Sequence, residues 1–287
     1  MKKSNNALFC VIFPSNLKFI GEFIDSINNQ TTQDFDVFFV NDGVDELVLS
    51  YYLKYLERSF KIHTIECCRS FAKIREVGIK EVLALGYENI IFADTDDLMS
   101  EDRVKISVEA LEMNSIVFND LDLMDVNKNV ISRKIWSDRL SNVEVTSNFL
   151  LDKNVLGLGN TAIKTDLLKN LTIPDDIMAT DWFIFFNIIK DKRAKFIDDA
   201  ETYYRQHDSN CIGIGKVTEE RLKHIINVKK IHYKYIPEKI LGSNLRELEQ
   251  IERKITNPEY MQSSLIKLND KNIEYFWWEE TNFLKNI

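Results

Sequence analysis

Three carboxylates fall within four consecutive positions at Asp94-Thr95-Asp96-Asp97, directly after the apolar run Asn89-Ile90-Ile91-Phe92-Ala93. Such a run reads as a buried strand of a parallel sheet, and the carboxyl end of such a strand is where open α/β folds place their ligands. Like charges this close repel one another unless a cation neutralises them, and a hard divalent metal carrying a phosphate ester meets that need. The pattern therefore predicts a seat for a metal and a phosphorylated ligand. The alternative is a solvated acidic turn capping a helix that starts near Ser100.

Alternating strand and helix signals surround this turn. Ala7 to Phe13, Phe35 to Val40, Lys61 to Ile65 and Asn89 to Ala93 read as strands, separated by helical periodicity from about Asn16, over Glu46 to Arg58 and over Ser70 to Leu85. The β-α-β-α-β-α-β order predicts an α/β fold with a parallel, doubly wound sheet. Its ligand-facing residues then lie just after the strands, at Pro14-Ser15, Asn41-Asp42-Gly43 and Asp94 to Asp97.

The second half is more mixed. Ser115 to Asn119 and Asn129 to Trp136 read as an antiparallel pair joined by a polar turn at 125–129. Short helices are expected near Val143 to Leu151 and from Thr165 to Asn170. Asp181-Trp182-Phe183-Ile184-Phe185-Phe186 reads as a buried helix with Thr180 or Asp181 at its cap. Ala194 to Ile197 and Thr202 to Gln206 are expected as closing strands. From Thr218 onward, Leu222, Ile225, Ile226, Leu241, Leu245, Leu248, Ile251 and Ile255 recur at helical spacing. The chain thus divides into residues 1–215, with a nucleotide-binding half at 1–100 and an acceptor half at 101–215, and a helical extension over 216–287.

Composition sets outer bounds. The chain has 287 residues, 45% hydrophobic and 29% charged, as in ordinary globular proteins. A net charge of -8 argues against a polyanion-binding surface, and so against nucleic acid as a partner. The cysteines at 10, 67, 68 and 211 show no C-x-x-C spacing, which predicts reduced thiols in a cytoplasmic protein and no zinc site. Only Ala7 to Phe13 is apolar near the start, too short for a signal peptide or a membrane span. Contact with a membrane is expected only from the side, peripherally.

Taken in order, these segments over roughly the first 215 residues resemble an inverting family 2 glycosyltransferase of GT-A fold, of bacterial type. Phe9 to Ile27 resembles the family's first strand and helix, Asn41-Asp42-Gly43 its acidic nucleotide-binding turn, and Asp94-Thr95-Asp96 its Asp-x-Asp metal motif. Ser70-Phe71-Ala72-Lys73-Ile74-Arg75 is similar to the segment that supplies an arginine to the nucleotide. Thr180-Asp181-Trp182 resembles the acidic motif carrying the catalytic base. Tyr204-Arg205-Gln206-His207-Asp208-Ser209-Asn210 is similar to a recurring Y-R-x-H-x-x-N segment, which adds Arg205 and Asn210 to the candidates.

The resemblance implies a metal-dependent transfer of a single sugar from a nucleotide sugar, with UDP as the nucleotide, to a hydroxyl of a glycan or glycoconjugate. Leaving-group charge on a diphosphate would be clamped by Mn2+ or Mg2+ held by Asp96 and Asp94, with Thr95 beside them. Asp97 would orient the metal, contact ribose or cap a helix. Asp42 would accept from the uracil imide or the ribose, and Arg75 would lie against the base; without the pattern they read as a turn aspartate and a solvated arginine. Asp181 would be the general base, which a helix N-terminus both orients and keeps ionised. His207 would complete the metal or diphosphate site, or serve the structure alone.

The sequence departs from the family at three places. Asn41-Asp42-Gly43-Val44 stands where a doubled acid and Gly-Ser are usual, Thr180-Asp181 carries one carboxylate where two are common, and no Q-x-x-R-W segment marks a processive synthase. A dinucleotide oxidoreductase is excluded because Phe13-Pro14-Ser15-Asn16 occupies the place of G-x-G-x-x-G. The remaining alternatives are a nucleotide-sugar-binding module without turnover and a sugar nucleotidyltransferase. The aromatic run Tyr275-Phe276-Trp277-Trp278 is expected to pack on its own domain, with oligomerisation through the C-terminal helices or docking on a membrane left open.

Overall fold

The computed structural model describes residues 4–65, 70–207, 216–270 and 275–285. Its strands are β1 (Asn6–Ile12), β2 (Asp36–Asp42), β3 (Phe60–Ile65), β4 (Asn89–Asp94), β5 (Leu98–Met99), β6 (Ile116–Met124), β7 (Val130–Ser132), β8 (Thr161–Lys164) and β9 (Lys195–Arg205). Its helices are α1 (Ile20–Asn28), α2 (Glu46–Leu53), α3 (Phe71–Ala84), α4 (Arg103–Met113), α5 (Ser137–Leu140), α6 (Thr180–Ile189), α7 (Glu219–Tyr233), α8 (Glu238–Leu241), α9 (Asn244–Lys254) and α10 (Pro258–Leu268).

Among the described residues, the strands form one sheet in the order β3-β2-β1-β4-β8-β6-β9-β5, with β7 paired to β6. The first four pair in parallel, as the alternating pattern predicts. Beyond β4 the sheet is mixed: β8 runs antiparallel to both β4 and β6, while β9 runs parallel to β6. β1, β2 and β4 are buried along nearly their whole length, which is why they read as apolar runs, whereas β3 is exposed at alternate positions. Because β1, β2 and β4 run in parallel, their carboxyl ends deliver residues 13–16, 42 and 94 to one edge of the sheet.

Several expected elements come out differently, and the strand expected over Asn129 to Trp136 forms only at Val130–Ser132. The helix expected to reach Arg58 stops at Leu53, because Glu57 N donates to Asn28 Oδ1 at 2.9 Å and the Arg58 guanidinium donates to the carbonyls of Asn28 and Gln30. Over 143–151 only a short 3-10 turn forms at Phe149–Leu151, since Val145 is drawn into a bridge with Ala194. The two expected closing strands are one strand, β9, whose register against β6 jumps from Asn119–Ile197 to Asp120–Glu201. Residues 198–200 are therefore looped out, which is the break visible in the sequence pattern.

The region after Thr218 folds back onto the rest of the protein. Leu222, Ile225, Leu248, Ile251, Met261 and Leu268 share a hydrophobic core with Phe92, Trp136 and Trp182. Phe276, Trp277 and Trp278 are buried in the same core, as expected for packing on their own domain. No helix among the described residues is long and apolar enough to cross a membrane.

Helix α3 is held close to the sheet at Gly78, where a Cβ would run into Val40 Cγ2 and meet the Phe9 ring at 2.8 Å. Contacts that short require the helix, Val40 or the Phe9 ring to shift. Gly78→Ala is therefore expected to destabilise the protein by about 1–3 kcal/mol through overpacking, although alanine favours helix by about 1 kcal/mol. Urea unfolding measures this, and a stabilised variant would show that α3 can move away from the sheet.

Candidate active site

The acidic turn after β4 is built against the rest of the sheet rather than left in solvent. Thr95 is buried and donates from its hydroxyl to Val11 O at 3.0 Å, and Asn16, beside the exposed Pro14 and Ser15, donates to Thr95 Oγ1 at 3.4 Å. Ser15 itself donates to Asn16 Oδ1 at 3.0 Å. Asp97 is buried, and its Oδ1 accepts from Arg205 N at 2.8 Å. It does not cap the next helix, because α4 begins only at Arg103 and Asp102 occupies its N-cap position. Asp97 Oδ2 is buried with no hydrogen-bond partner.

Arg205 fastens this turn from the far side. Its buried guanidinium donates to Asp96 O at 2.7 Å, to Val126 O at 3.1 Å and to Glu22 Oε2 at 2.6 Å, while lying over the Phe19 ring. Two residues later His207 Nε2 sits 2.9 Å from Asp96 Oδ2, and its ring packs on Phe19. The end of β9 and the residues just after it thus carry both side chains to Asp96. Asn210, and the cysteines at 67, 68 and 211, lie outside the described residues.

Crowding raises the proton affinity of the carboxylates. Burial, then the charges of Asp96 and Asp181, push Asp94 up to about 7, against the opposing pull of Arg75 and Arg103. Asp97 is also raised, first by burial and then by Asp96 and Asp94. Asp42, at the end of β2, is raised by burial and pulled down by Arg75. The loop after it is pinned by Asn41, whose side chain both donates to Val44 O and accepts from Val44 N.

Arg75 is the shared cation of the site. It projects from the second turn of α3, its guanidinium lies 5.7 Å from the Phe13 ring and 6.0 Å from the Phe71 ring, and Nη1 donates to Phe71 O. Its Nε is buried without a partner. Its charge acts on Asp42, Asp94 and Asp181, which come from β2, β4 and α6.

Asp181 lies in the first turn of α6, whose N-cap position is Ala179. Burial raises its pKa to about 6, against the backbone N–H of Trp182, the Arg75 charge and a hydrogen bond from Asn154. Trp182 is not part of this cleft. It is fully buried, donates from Nε1 to Leu150 O at 2.6 Å and stacks on His232 with ring centroids 3.9 Å apart. The sequence grouped it with Asp181, but neighbours in a helix point about 100° apart.

Among the described residues, no group of three or more His, Cys, Asp or Glu side chains converges to hold a metal ion. A cation bound partly through substrate phosphates needs only one or two protein carboxylates. Asp96, 2.9 Å from the His207 imidazole, and Asp94 two residues before it would be the residues to hold that kind of cation, and Asp97 Oδ2 close by is a buried carboxylate oxygen without a hydrogen-bond partner.

Two further site residues carry no signal in a single sequence. Arg103 is fully buried beneath the turn, donating to Asn119 Oδ1 and Phe92 O, and its charge acts on Asp94. Burial lowers its own pKa to about 10. Gly159 lies so close to the turn that a Cβ would stand 3.0 Å from Asp97 Oδ2 and 3.2 Å from Asp94 Oδ2.

Comparison with known proteins identifies the family and the fold. Residues 10–169, more than half of the chain, match Glycosyl transferase family 2. Over 166 residues the chain is 24% identical to the dTDP-rhamnosyl transferase RfbG of Shigella flexneri, a match spanning 54% of this chain and 56% of that protein. The chain thus matches little more than half the length of this curated relative. S. aureus TarS 1–349 in complex with UDP-GlcNAc superimposes with a TM-score of 0.59 at 18% identity, over 85% of this chain and 72% of that one. The mannosyltransferase PcManGT from Pyrobaculum calidifontis, in complex with GDP-Man and Mn2+, gives a TM-score of 0.58 at 14% identity, over 98% of this chain and 79% of that one. At such identities the structural likeness speaks for the fold, which is of the GT-A type. By its sequence match, the chain belongs to glycosyl transferase family 2.

Proposed function

We propose that this protein is an inverting glycosyltransferase that moves one sugar from a pyrimidine nucleoside diphosphate sugar to a hydroxyl of a glycan or glycoconjugate. The observation that carries this reading is that Asp42, Asp94 and Asp181, from β2, β4 and α6, all lie within reach of the Arg75 charge. Uracil and thymine share an imide N–H that a carboxylate at Asp42 would accept, and UDP occurs with TarS while dTDP is in the name of RfbG. The acceptor side and a place at the cytoplasmic face of a membrane rest on the resemblance alone.

The chemistry follows from where the charges lie. The acceptor oxygen forms a bond to the anomeric carbon while the bond from that carbon to the diphosphate oxygen breaks, and the electron pair leaves with the nucleoside diphosphate. The hydroxyl proton goes to the Asp181 carboxylate, whose value of about 6 leaves it mostly ionised at neutral pH. Arg75, whose charge reaches Asp42, Asp94 and Asp181, would add positive charge where the leaving group gains negative charge. A divalent cation held by Asp94, Asp96 and His207 would supply further charge neutralisation at the same diphosphate.

Asp181→Asn keeps the side chain's shape and removes the proton acceptor, so nucleotide release from a donor sugar should fall by about 10²–10⁴-fold with nucleotide affinity retained. Binding without turnover in both proteins would instead support a non-catalytic binding module. Wild-type kcat/KM should fall as pH drops through about 6, because protonated Asp181 cannot accept.

Metal-free stability has its own pH signature. Asp94 binds its proton more tightly folded, at about 7, than at its ordinary value of 3.8, so its contribution to stability falls as pH rises between those values. The metal-free wild type should therefore lose melting temperature over that window relative to Asp94→Asn. Mn2+ with UDP should restore it in the wild type only. Parallel pH curves for the two proteins would show that Asp94 is not electrostatically stressed.

A further inference from the structure

The base reaches the C-terminal segment through one asparagine. Asn154 is fully buried on the stretch between the Phe149–Leu151 turn and β8. Its Nδ2 donates to Asp181 Oδ2 at 3.3 Å and to Leu156 O at 2.9 Å, and its Oδ1 accepts from Leu156 N at 3.0 Å. The side-chain amide is therefore fixed in orientation by its own loop before it meets the carboxylate. Its backbone is fixed as well: Asn154 N donates to Trp277 O at 2.8 Å, in a bridge between the two segments.

Trp277 holds that bridge by packing. Its ring lies so close to Gly157 that a Cβ there would meet it at 2.6 Å, and it stands edge-on to Trp136 with ring centroids 4.7 Å apart. The neighbouring Trp278 carbonyl accepts from the buried Lys229 ammonium of α7 at 2.9 Å. The loop pinned in this way runs on through Gly157 to Gly159, which faces Asp94 and Asp97.

Resting on the assignment of Asp181 as the base, we propose that Asn154 is its positioning residue and that the segment Tyr275–Trp278 holds Asn154 in place. The C-terminal region is then part of the transfer site rather than an independent appendage. Three features support a positioning role rather than mere packing. The amide N–H stabilises the ionised, proton-accepting form of Asp181. It reaches the carboxylate from the side of the loop, while Arg75 of α3, Asp94 of β4 and the Trp182 N–H of α6 face it from elsewhere. And the amide is held by Leu156 on both its donor and its acceptor side, so it can neither rotate nor withdraw without breaking three hydrogen bonds.

The test uses the full-length protein, a UDP-sugar or dTDP-sugar donor that it turns over, and nucleotide release across pH. In Asn154→Ala, kcat should fall about tenfold or more, with the donor KM within about twofold of wild type, the scale of a lost hydrogen bond to a charged group. The acidic limb of kcat/KM should move to higher pH. Asn154→Ser, which restores a donor, should recover part of both effects. Asn154→Asp keeps the shape and sets a second carboxylate against Asp181, so it should move the limb further; it decides the matter should the alanine variant not fold. An unmoved limb in both Asn154→Ala and Asn154→Asp overturns the proposal while Asp181→Asn remains inactive. Wild-type turnover by Asp181→Asn would instead overturn the assignment of the base itself.

Discussion

The site depends on an imbalance of charge. Carboxylates from β2, β4 and α6 meet where Arg75 is shared among them, with Arg103 beneath the Asp94 turn. Proteins keep buried like charges together only where something else compensates them or where protonation relieves them. Burial, joined at Asp94 and Asp97 by the neighbouring carboxylates, pushes Asp94, Asp97 and Asp181 toward that second response in the ligand-free protein. A diphosphate alone would add to the repulsion, whereas a diphosphate carrying a divalent cation would relieve it. The fold is arranged to hold that imbalance in place: parallel strands bring the acids to one edge, and Arg205 ties the acidic turn to Glu22 and the carbonyl of Val126.

Much of this was legible in the sequence because it is local or periodic. The strands of the nucleotide half announce themselves as apolar runs, and a parallel sheet then dictates that Pro14-Ser15, Asp42 and Asp94 emerge on one edge. The acidic turn came from residue types and spacing, while Arg75, Asp181 and His207 entered as candidates through the resemblance to family 2 glycosyltransferases. Helix termini were less legible, because α2 ends where Asn28 captures the chain, a contact no local pattern encodes.

What stayed hidden is long-range. Arg103 carries no signal in the sequence, yet it is fully buried under β4 and bonded to Phe92 O. The Arg205–Glu22 pair joins residues 183 apart, and Asn154 meets Asp181 only because the chain between them folds back through β8. Trp182 misled for the opposite reason: it adjoins Asp181 in sequence, but the helix turns it toward His232. The jump in register within β9, by contrast, left a trace, since its looped-out residues separate two apolar stretches.

The most direct test of the central claim is the anomalous diffraction signal of Mn2+ in crystals grown with UDP. The account predicts a peak bridging the nucleotide diphosphate and the carboxylates of Asp94 and Asp96, with Asp181 across the cleft. A manganese peak elsewhere, or a diphosphate bound away from those carboxylates, would contradict it.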